Sequence, residues 1–455
     1  MSASAAARKR VDLINDPIDR SLRLFAMPLA FSFVVNMIYS LIDRYYVSRL
    51  GDAAIAAIGS SDQIVFFLFT LVSGFAVGTG IIVSRRFGEA DHIGASRTGT
   101  QALVGMAVMA ASVTGLVYLL LPTIPVIMRM QPEVATLSME YLGMLMIGFT
   151  CNLLNFQMFS MVRSTGNAMF PTMVLVTTVI LNAIIAPFFI FGIGPFPELG
   201  MKGAGLATAL SQMSGTVIAL SALLRGKTNM HLDFTDFRLD FDLLGRVAKQ
   251  GFPASLQMLS VSLNRAVIFT IVSAFGTNVT AAYTLGLNVD MFVFMSVFAV
   301  GIAIETATGQ NLGAGKPERV LGFHRSAVKQ MAYLMTGLAV VVWFAGRPFV
   351  ELYSQNLLTL NEATKYLHIT VFGYVFFAVG LVTVRVISGA GSAIMSMLIT
   401  SGCLLGFQLP LSYVLSHATD LGSTGVWIGI TIGYTVFAVV ALAVLKSKVW
   451  MRARV

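Results

Sequence analysis

Apolar stretches of about 20 residues recur roughly a dozen times along this chain, each long enough to cross the hydrocarbon core of a bilayer. In hydrocarbon every backbone N–H and C=O must find its partner within its own segment or in a closed barrel, so long apolar runs cross as helices. Composition agrees, with 56% hydrophobic and 11% charged residues against about a quarter charged in soluble domains. The charges gather between the runs. Spans are predicted at 15–46, 54–83, 99–121, 134–163, 169–193, 203–224, 250–275, 282–309, 326–346, 363–389, 394–417 and 424–446.

The chain is also written twice. Shifted by 225 positions, residues 28–91 fall without a gap on 253–316: Pro28 on Pro253, Gly51 on Gly276, Ala56-Ala57 on Ala281-Ala282, and Arg85-Arg86-Phe87-Gly88 on Gln310-Asn311-Leu312-Gly313. The same shift carries Arg163-Ser164-Thr165-Gly166 onto Ser388-Gly389-Ala390-Gly391. The expected fold is an all-α polytopic membrane protein of 12 transmembrane helices in two pseudo-symmetric six-helix lobes, 1–224 and 250–455. An even number of spans per lobe gives the copies parallel topology. Residues 225–249 are expected to be an amphipathic linker on the cytoplasmic surface, beginning His231-Leu232-Asp233-Phe234 and ending Phe241-Asp242-Leu243-Leu244.

One set of loops collects Arg8, Lys9, Arg10, Arg85, Arg86, Arg225, Lys227, Lys316, Arg319, Lys446, Lys448 and Arg452; the other holds only Arg44, Arg49, Arg129, Lys202, Arg347 and Lys365. Cations stay on the cytoplasmic side, so both termini are expected there, in a multi-pass protein of the cell (inner or plasma) membrane. The asymmetry accounts for the net charge of +9 without a nucleic-acid partner. Met1 to Ile14 is polar and basic and leads into a full-length span, so no cleaved secretory signal is expected. Cys151 and Cys403 lie inside spans and are not related by the repeat, so neither a disulfide nor a metal site is expected.

Asp43 is the residue that most needs explaining, because an ionised carboxylate within an apolar span costs several kcal/mol unless it protonates, pairs or holds a cation. Asn36, Tyr39 and Asp43 are spaced to project from one face of one helix, a polar stripe expected to face the lobe interior. Asn152 and Asn155 on the fourth span and Asn182 on the fifth add amides that could point into the same lobe. Two readings stand for Asp43: a proton-coupling acid, or an interfacial acid paired with Arg44 or Arg49. The amides likewise serve either the ion or interhelical hydrogen bonds.

The second lobe carries Arg265, Asp290, Glu305 and Arg385 within its spans. Counting depth from the span ends pairs Arg265 with Asp290 and Glu305 with Arg385, two charge pairs that would neutralise the lobe. The alternative leaves Asp290 facing a central cavity for a cationic substrate, or Arg265 for an anionic one. Pro28 and Pro253 each remove an amide hydrogen from a first helix, so each is either a working bend or a static kink. Gly74, Gly78 and Gly80 are read as close helix packing. No phosphate loop, nucleophile elbow or His/Cys cluster is present, which points away from an enzyme and from ATP-driven transport.

Several of these segments resemble the multidrug and toxic compound extrusion, or MATE, transporters over nearly the whole chain. The markers are Leu41-Ile42-Asp43 with Leu50-Gly51 and Ala56-Ala57-Ile58-Gly59, then Arg163-Ser164-Thr165-Gly166-Asn167 and Phe191-Gly192-Ile193-Gly194-Pro195. Gly203-Ala204-Gly205-Leu206-Ala207-Thr208 and Gly309-Gln310-Asn311-Leu312-Gly313-Ala314-Gly315-Lys316 complete the set. The resemblance implies a monomeric secondary antiporter that exports small organic compounds, amphipathic and often cationic, against protons or sodium by alternating access. It implies that Asp43 is the ion-coupling acid and that Tyr141 and Asn182 line the amino-terminal cavity. Ala186 stands directly before Pro187 where many relatives carry a second aspartate, and Val261 and Phe377 stand near places where one branch has acids. One carboxylate among neutral oxygens is a weak cage for a bare cation, so protons are favoured, with sodium at Asp43 and Asn182 the alternative and no other cofactor. The competing function is a flippase for a lipid-linked or amphipathic anionic substrate; a scaffold is disfavoured by the mid-membrane Asp43.

Overall fold

The computed structural model describes residues 11–235 and 237–452, so Arg8, Lys9 and Arg10 lie outside the described residues. Twelve helices are long and apolar enough to cross a membrane. They are α1 (Ile18–Ser48), α2 (Asp52–Gly88), α3 (His92–Leu120), α4 (Pro132–Ser164), α5 (Met169–Phe191) and α6 (Met201–Leu224). The second set is α7 (Phe241–Ser273), α8 (Thr277–Gly313), α9 (Pro317–Glu351), α10 (Leu357–Gly389), α11 (Ala393–His417) and α12 (Ser423–Ser447). Every predicted span is there, and most helices outrun their apolar windows because polar end turns continue the backbone ladder. In α3, Asp91 caps the first turn by accepting from the Gly94 N–H at 2.8 Å. α11 is π-helical over Gly402–Gln408, just ahead of Pro410.

The repeat is visible helix by helix. Moved by 225, the bounds of α2 and α4 become those of α8 and α10 to the residue. Gly51 before α2 and Gly276 before α8 both have positive φ, +109° and +101°, a conformation that strains any residue with a Cβ.

Two compact units divide the described chain, and the division passes through helices rather than loops. One takes in Met27–Ser255; the other joins Leu13–Ala26 to the chain from Leu256 on. In the first unit, the opening turns of α7 lie against α2 so closely that a Cβ on Gly74 would stand 2.2 Å from the Gly251 carbonyl oxygen and from Ser255 Oγ. The gap is bridged by hydrogen bonds: Ser255 Oγ donates to the Leu71 carbonyl at 2.9 Å and accepts from the Gly74 N–H at 3.2 Å. The expected packing role of Gly74 is thus a helix contact backbone to backbone.

In the segment expected as a linker, buried Met230 and Leu232 alternate with exposed His231 and Asp233, and the two apolar side chains sit in the core with Val83, Ala95, Leu103, Met158 and Leu223. The stretch read as the linker's end is the first turn of α7, where Asp240 Oδ1 accepts from the Leu243 N–H at 2.9 Å and the Asp240 carbonyl from the Leu244 N–H at 3.0 Å. Gln101 of α3 holds the same segment, its Nε2 donating to the Arg238 carbonyl and its Oε1 accepting from the Asp240 N–H at 3.1 Å. In the second unit the approach to α1 is held the same way: Asn311 donates to the Leu13 carbonyl at 3.0 Å, and Arg319 to the Asp16 carbonyl at 2.7 Å.

Candidate functional site

α1 places its polar stripe at graded depths in the first unit. Asp43 is 7% exposed and Tyr39 half-buried, whereas Asn36 is exposed and spends its amide on the Ser32 carbonyl of its own helix at 3.2 Å. The stripe therefore does not act as one group. Tyr39 Oη and Thr208 Oγ1 share a hydrogen bond of 3.1 Å, and Asn182 Nδ2 donates to the same Thr208 hydroxyl at 3.3 Å. Thr208 thereby ties α1, α5 and α6 together at one oxygen. It ends the small-residue run Gly203–Thr208, and its place as the first polar residue after a close-packing segment was the signal that sequence reading passed over.

Asp43 has no ion-pair partner among the described residues. Arg44 turns instead to Asp62 on α2, 3.7 Å away, and Arg49 binds Tyr45, donating to its hydroxyl at 2.7 Å with the guanidinium 5.1 Å from the ring centre. Asp43 Oδ1 is buried without any hydrogen-bond partner, and so is Asn182 Oδ1. Buried polar atoms are nearly always bonded, so Asp43 Oδ1 and Asn182 Oδ1 are each free to accept a further hydrogen bond. Ala186, on the same helix as Asn182, is fully buried.

The other predicted cavity residues separate into two kinds. Tyr141 on α4 is buried, and Asn152 is half-buried with no hydrogen bond among the described residues. Asn155 is fully employed between α4 and α6: Nδ2 donates to the Gln212 carbonyl at 2.9 Å and Oδ1 accepts from Thr216 at 3.0 Å. That is an interhelical fastening, leaving nothing for a ligand. Gln157, two residues on, is buried with neither amide atom hydrogen-bonded among the described residues, a polar site that no sequence pattern singled out. At Pro28 the backbone is braced from α5, as Thr172 Oγ1 donates to the Pro28 carbonyl at 3.0 Å and meets Ser32 Oγ at 2.8 Å.

In the second unit one expected charge pair is absent. Asp290 does not meet Arg265; its carboxylate accepts from the Tyr366 hydroxyl and, at 2.7 Å, from the Tyr374 hydroxyl, both on α10. Arg265 is exposed, with its guanidinium 4.9 Å from the Phe294 ring centre. Gly286, one turn before Asp290, explains the choice, since a Cβ there would lie 2.3 Å from the Tyr366 ring: the glycine makes room for the tyrosine to reach the acid. Equal depth in two helices does not fix which way either side chain turns. Glu305 and Arg385 do meet, with Arg385 Nη1 3.1 Å from Glu305 Oε2, while Ser388 donates to the other carboxylate oxygen.

The MatE family model matches the chain twice, over residues 28–188 and 253–414, starting at Pro28 and Pro253. The probable multidrug resistance protein YoeA of Bacillus subtilis is 27% identical, covering 92% of this chain and 91% of its own. The FAD transporter of Shewanella oneidensis is 24% identical over 90% of this chain and 91% of its own. Among solved structures, an outward-facing multidrug resistance MATE family transporter of the MOP superfamily superposes with a TM-score of 0.88 at 24% identity, covering 97% of this chain and 98% of that one. A variant of the Vibrio cholerae MATE transporter VcmN gives 0.88 at 21% identity, covering 94% and 96%. These likenesses place the twelve-helix fold among MATE structures, and with the family model matching both halves, this multi-pass membrane protein belongs to the MatE family of transporters.

Proposed function

We propose that this chain is a secondary active antiporter that exports small organic compounds, amphipathic and often cationic, in exchange for protons or sodium by alternating access, with Asp43 as the coupling acid. The observation that carries the reading is Asp43 itself, 7% exposed, with an unpartnered oxygen and its neighbouring arginine engaged elsewhere. A carboxylate so placed is stable only when it takes up a proton or a cation. In the outward-facing protein Asp43 is protonated, α1 repacks, and substrate leaves the amino-terminal lobe; inward opening then releases the proton and admits the next substrate.

Ala186 in place of a second acid supports protons as the coupling ion. Sodium held by Asp43 and Asn182 is the alternative. The names of relatives in Bacillus subtilis and Thermotoga maritima, both probable multidrug resistance proteins, support organic export. The loop charges support cytoplasmic termini in the cell membrane. Arg265, exposed and free of Asp290, favours one second reading, export or flipping of an amphipathic anion, to which the FAD transporter among the relatives lends weight.

Efflux from reconstituted vesicles under separately imposed proton and sodium gradients tests these readings, with a cationic and an anionic fluorescent substrate. Substrate-driven ion counterflow that disappears in Asp43→Asn is expected. Unaltered transport in that variant sinks Asp43 as the coupling acid; transport of the anion alone, lost in Arg265→Ala, favours the second reading.

A further inference from the structure

Where α1 passes α5 at Pro28, two hydroxyls have more acceptors than hydrogens. Ser32 Oγ lies 2.8 Å from Thr172 Oγ1, and Thr172 Oγ1 lies 3.0 Å from the Pro28 carbonyl oxygen, both contacts running between the helices. Each hydroxyl also reaches a carbonyl four residues back in its own helix: Ser32 the Pro28 oxygen at 2.9 Å, and Thr172 the Ala168 oxygen at 3.0 Å. A hydroxyl donates one hydrogen, so only two of these four contacts are made at a time.

With the helices together, Ser32 donates to the Pro28 carbonyl and Thr172 to Ser32 or to that same carbonyl. With them apart, Ser32 keeps its bond and Thr172 turns to Ala168. Both arrangements satisfy both hydrogens, so parting the helices here leaves no donor bare in hydrocarbon. The joint at Asn155 differs: its amide donates to Gln212 and accepts from Thr216, both on α6, and parting α4 from α6 would take those partners away. Pro28 adds a second reason for release at this level, since it offers no N–H to the carbonyl four residues before it and the α1 ladder already lacks a rung. Asp43 and Asn182 stand on the same two helices, each about three turns further along.

We propose that Ser32 and Thr172 form a releasable latch between α1 and α5, which positions the helix carrying Asp43 and frees it without the loss of a hydrogen bond. Its part in transport rests on the α1 repacking of the proposed cycle. Its release at rest does not, so the two can fail separately.

The test uses the full chain with Cys151→Ala and Cys403→Ala, reconstituted in vesicles. Ser32→Cys with Thr172→Cys, oxidised to a disulfide, should stop efflux of a fluorescent organic cation, and reduction should restore it; a cross-linked protein that exports as fast as the reduced one overturns the proposal. Val35, buried on the Ser32 face of α1, serves as the probe: maleimide labelling of Val35→Cys should rise during turnover. Labelling unchanged by turnover overturns the proposal as well, whether or not the disulfide forms. At rest, Thr172→Val should alter that labelling by no more than about two-fold, because the latch differs from its open form only in how its bonds reinforce one another. A rise beyond about five-fold, the least that a stranded buried partner brings, shows a fixed joint and overturns the release argument. If Asp43→Asn still transports while the cross-linked protein does not, the coupling reading fails and the latch stands.

Discussion

Removing Arg385 from the second unit should cost far more than its contacts suggest, and removing Glu305 with it should restore most of the loss. The two side chains are 11% and 12% exposed, and their closest N and O atoms are 3.1 Å apart. At an effective dielectric of about 20, unit charges at that separation attract by about 5 kcal/mol. Desolvating both ions takes back most of this, so the pair contributes little net stability, whereas one partner left alone forfeits about 3–5 kcal/mol. Arg385→Met should therefore lower the melting temperature by roughly 6–20 °C, at 2–4 °C per kcal/mol for a unit of this size. Glu305→Gln with Arg385→Met should melt near wild type. Trp343, Trp427 and Trp450, the chain's three tryptophans, all lie in this unit, so their fluorescence on heating in detergent reports the right part of the molecule. If the double variant melts as low as the single one, an orphaned buried charge is not the cause, and the reasoning fails.

Three further outcomes follow from the packing. Gly74→Ala places a methyl 2.2 Å from the Gly251 carbonyl oxygen and should cost at least about 1–3 kcal/mol by parting α2 and α7; melting at the wild-type temperature would contradict the close contact. Tyr374→Phe strips Asp290 of one of two donors and should cost about 1–3 kcal/mol, read by the same fluorescence melt, with no loss refuting the assignment. The Asp233 turn contributes stability while its carboxylate is charged: its lowered pKa means the contribution is full above the ordinary carboxylate range and disappears as pH falls through the folded value. Hydrogen exchange at the Thr235 amide should accelerate over that acid window, after correction for intrinsic exchange, and a flat corrected profile would contradict it.

The apolar runs and the 225-residue register were legible because lipid leaves a long segment no alternative to a helix, and because a shared fold repeats its turns. Asp43 was legible for the same reason, a charge where charge is expensive. What escaped was rotation about helix axes. Arg265 and Asp290 share a depth but not a face, and Asn36 shares a stripe with Asp43 but not its burial. Thr208 escaped because a hydroxyl at the end of a small-residue run looks the same whether it binds its own backbone or gathers two neighbouring helices. The repeat itself gave a hint that depth counting could not: Tyr141 and Tyr366 are equivalent positions, each buried in its own lobe, while the acids sit on different helices, α1 and α8.

Leu13 and Arg238 are equivalents too, and each offers its carbonyl to a buried amide, Asn311 for one and Gln101 for the other. Each lies on the approach to a first helix whose opening turns are housed by the opposite compact unit. A single half translated by itself would carry a helix whose beginning has no bed and a bed with no helix in it. Two identical halves could remedy this only by trading those segments, as a swapped dimer does. Fused into one chain, the trade sets an order on biogenesis: the first unit stays open until the ribosome has delivered Phe241–Ser255, and the second is completed by Leu13–Ala26, made before the rest of it.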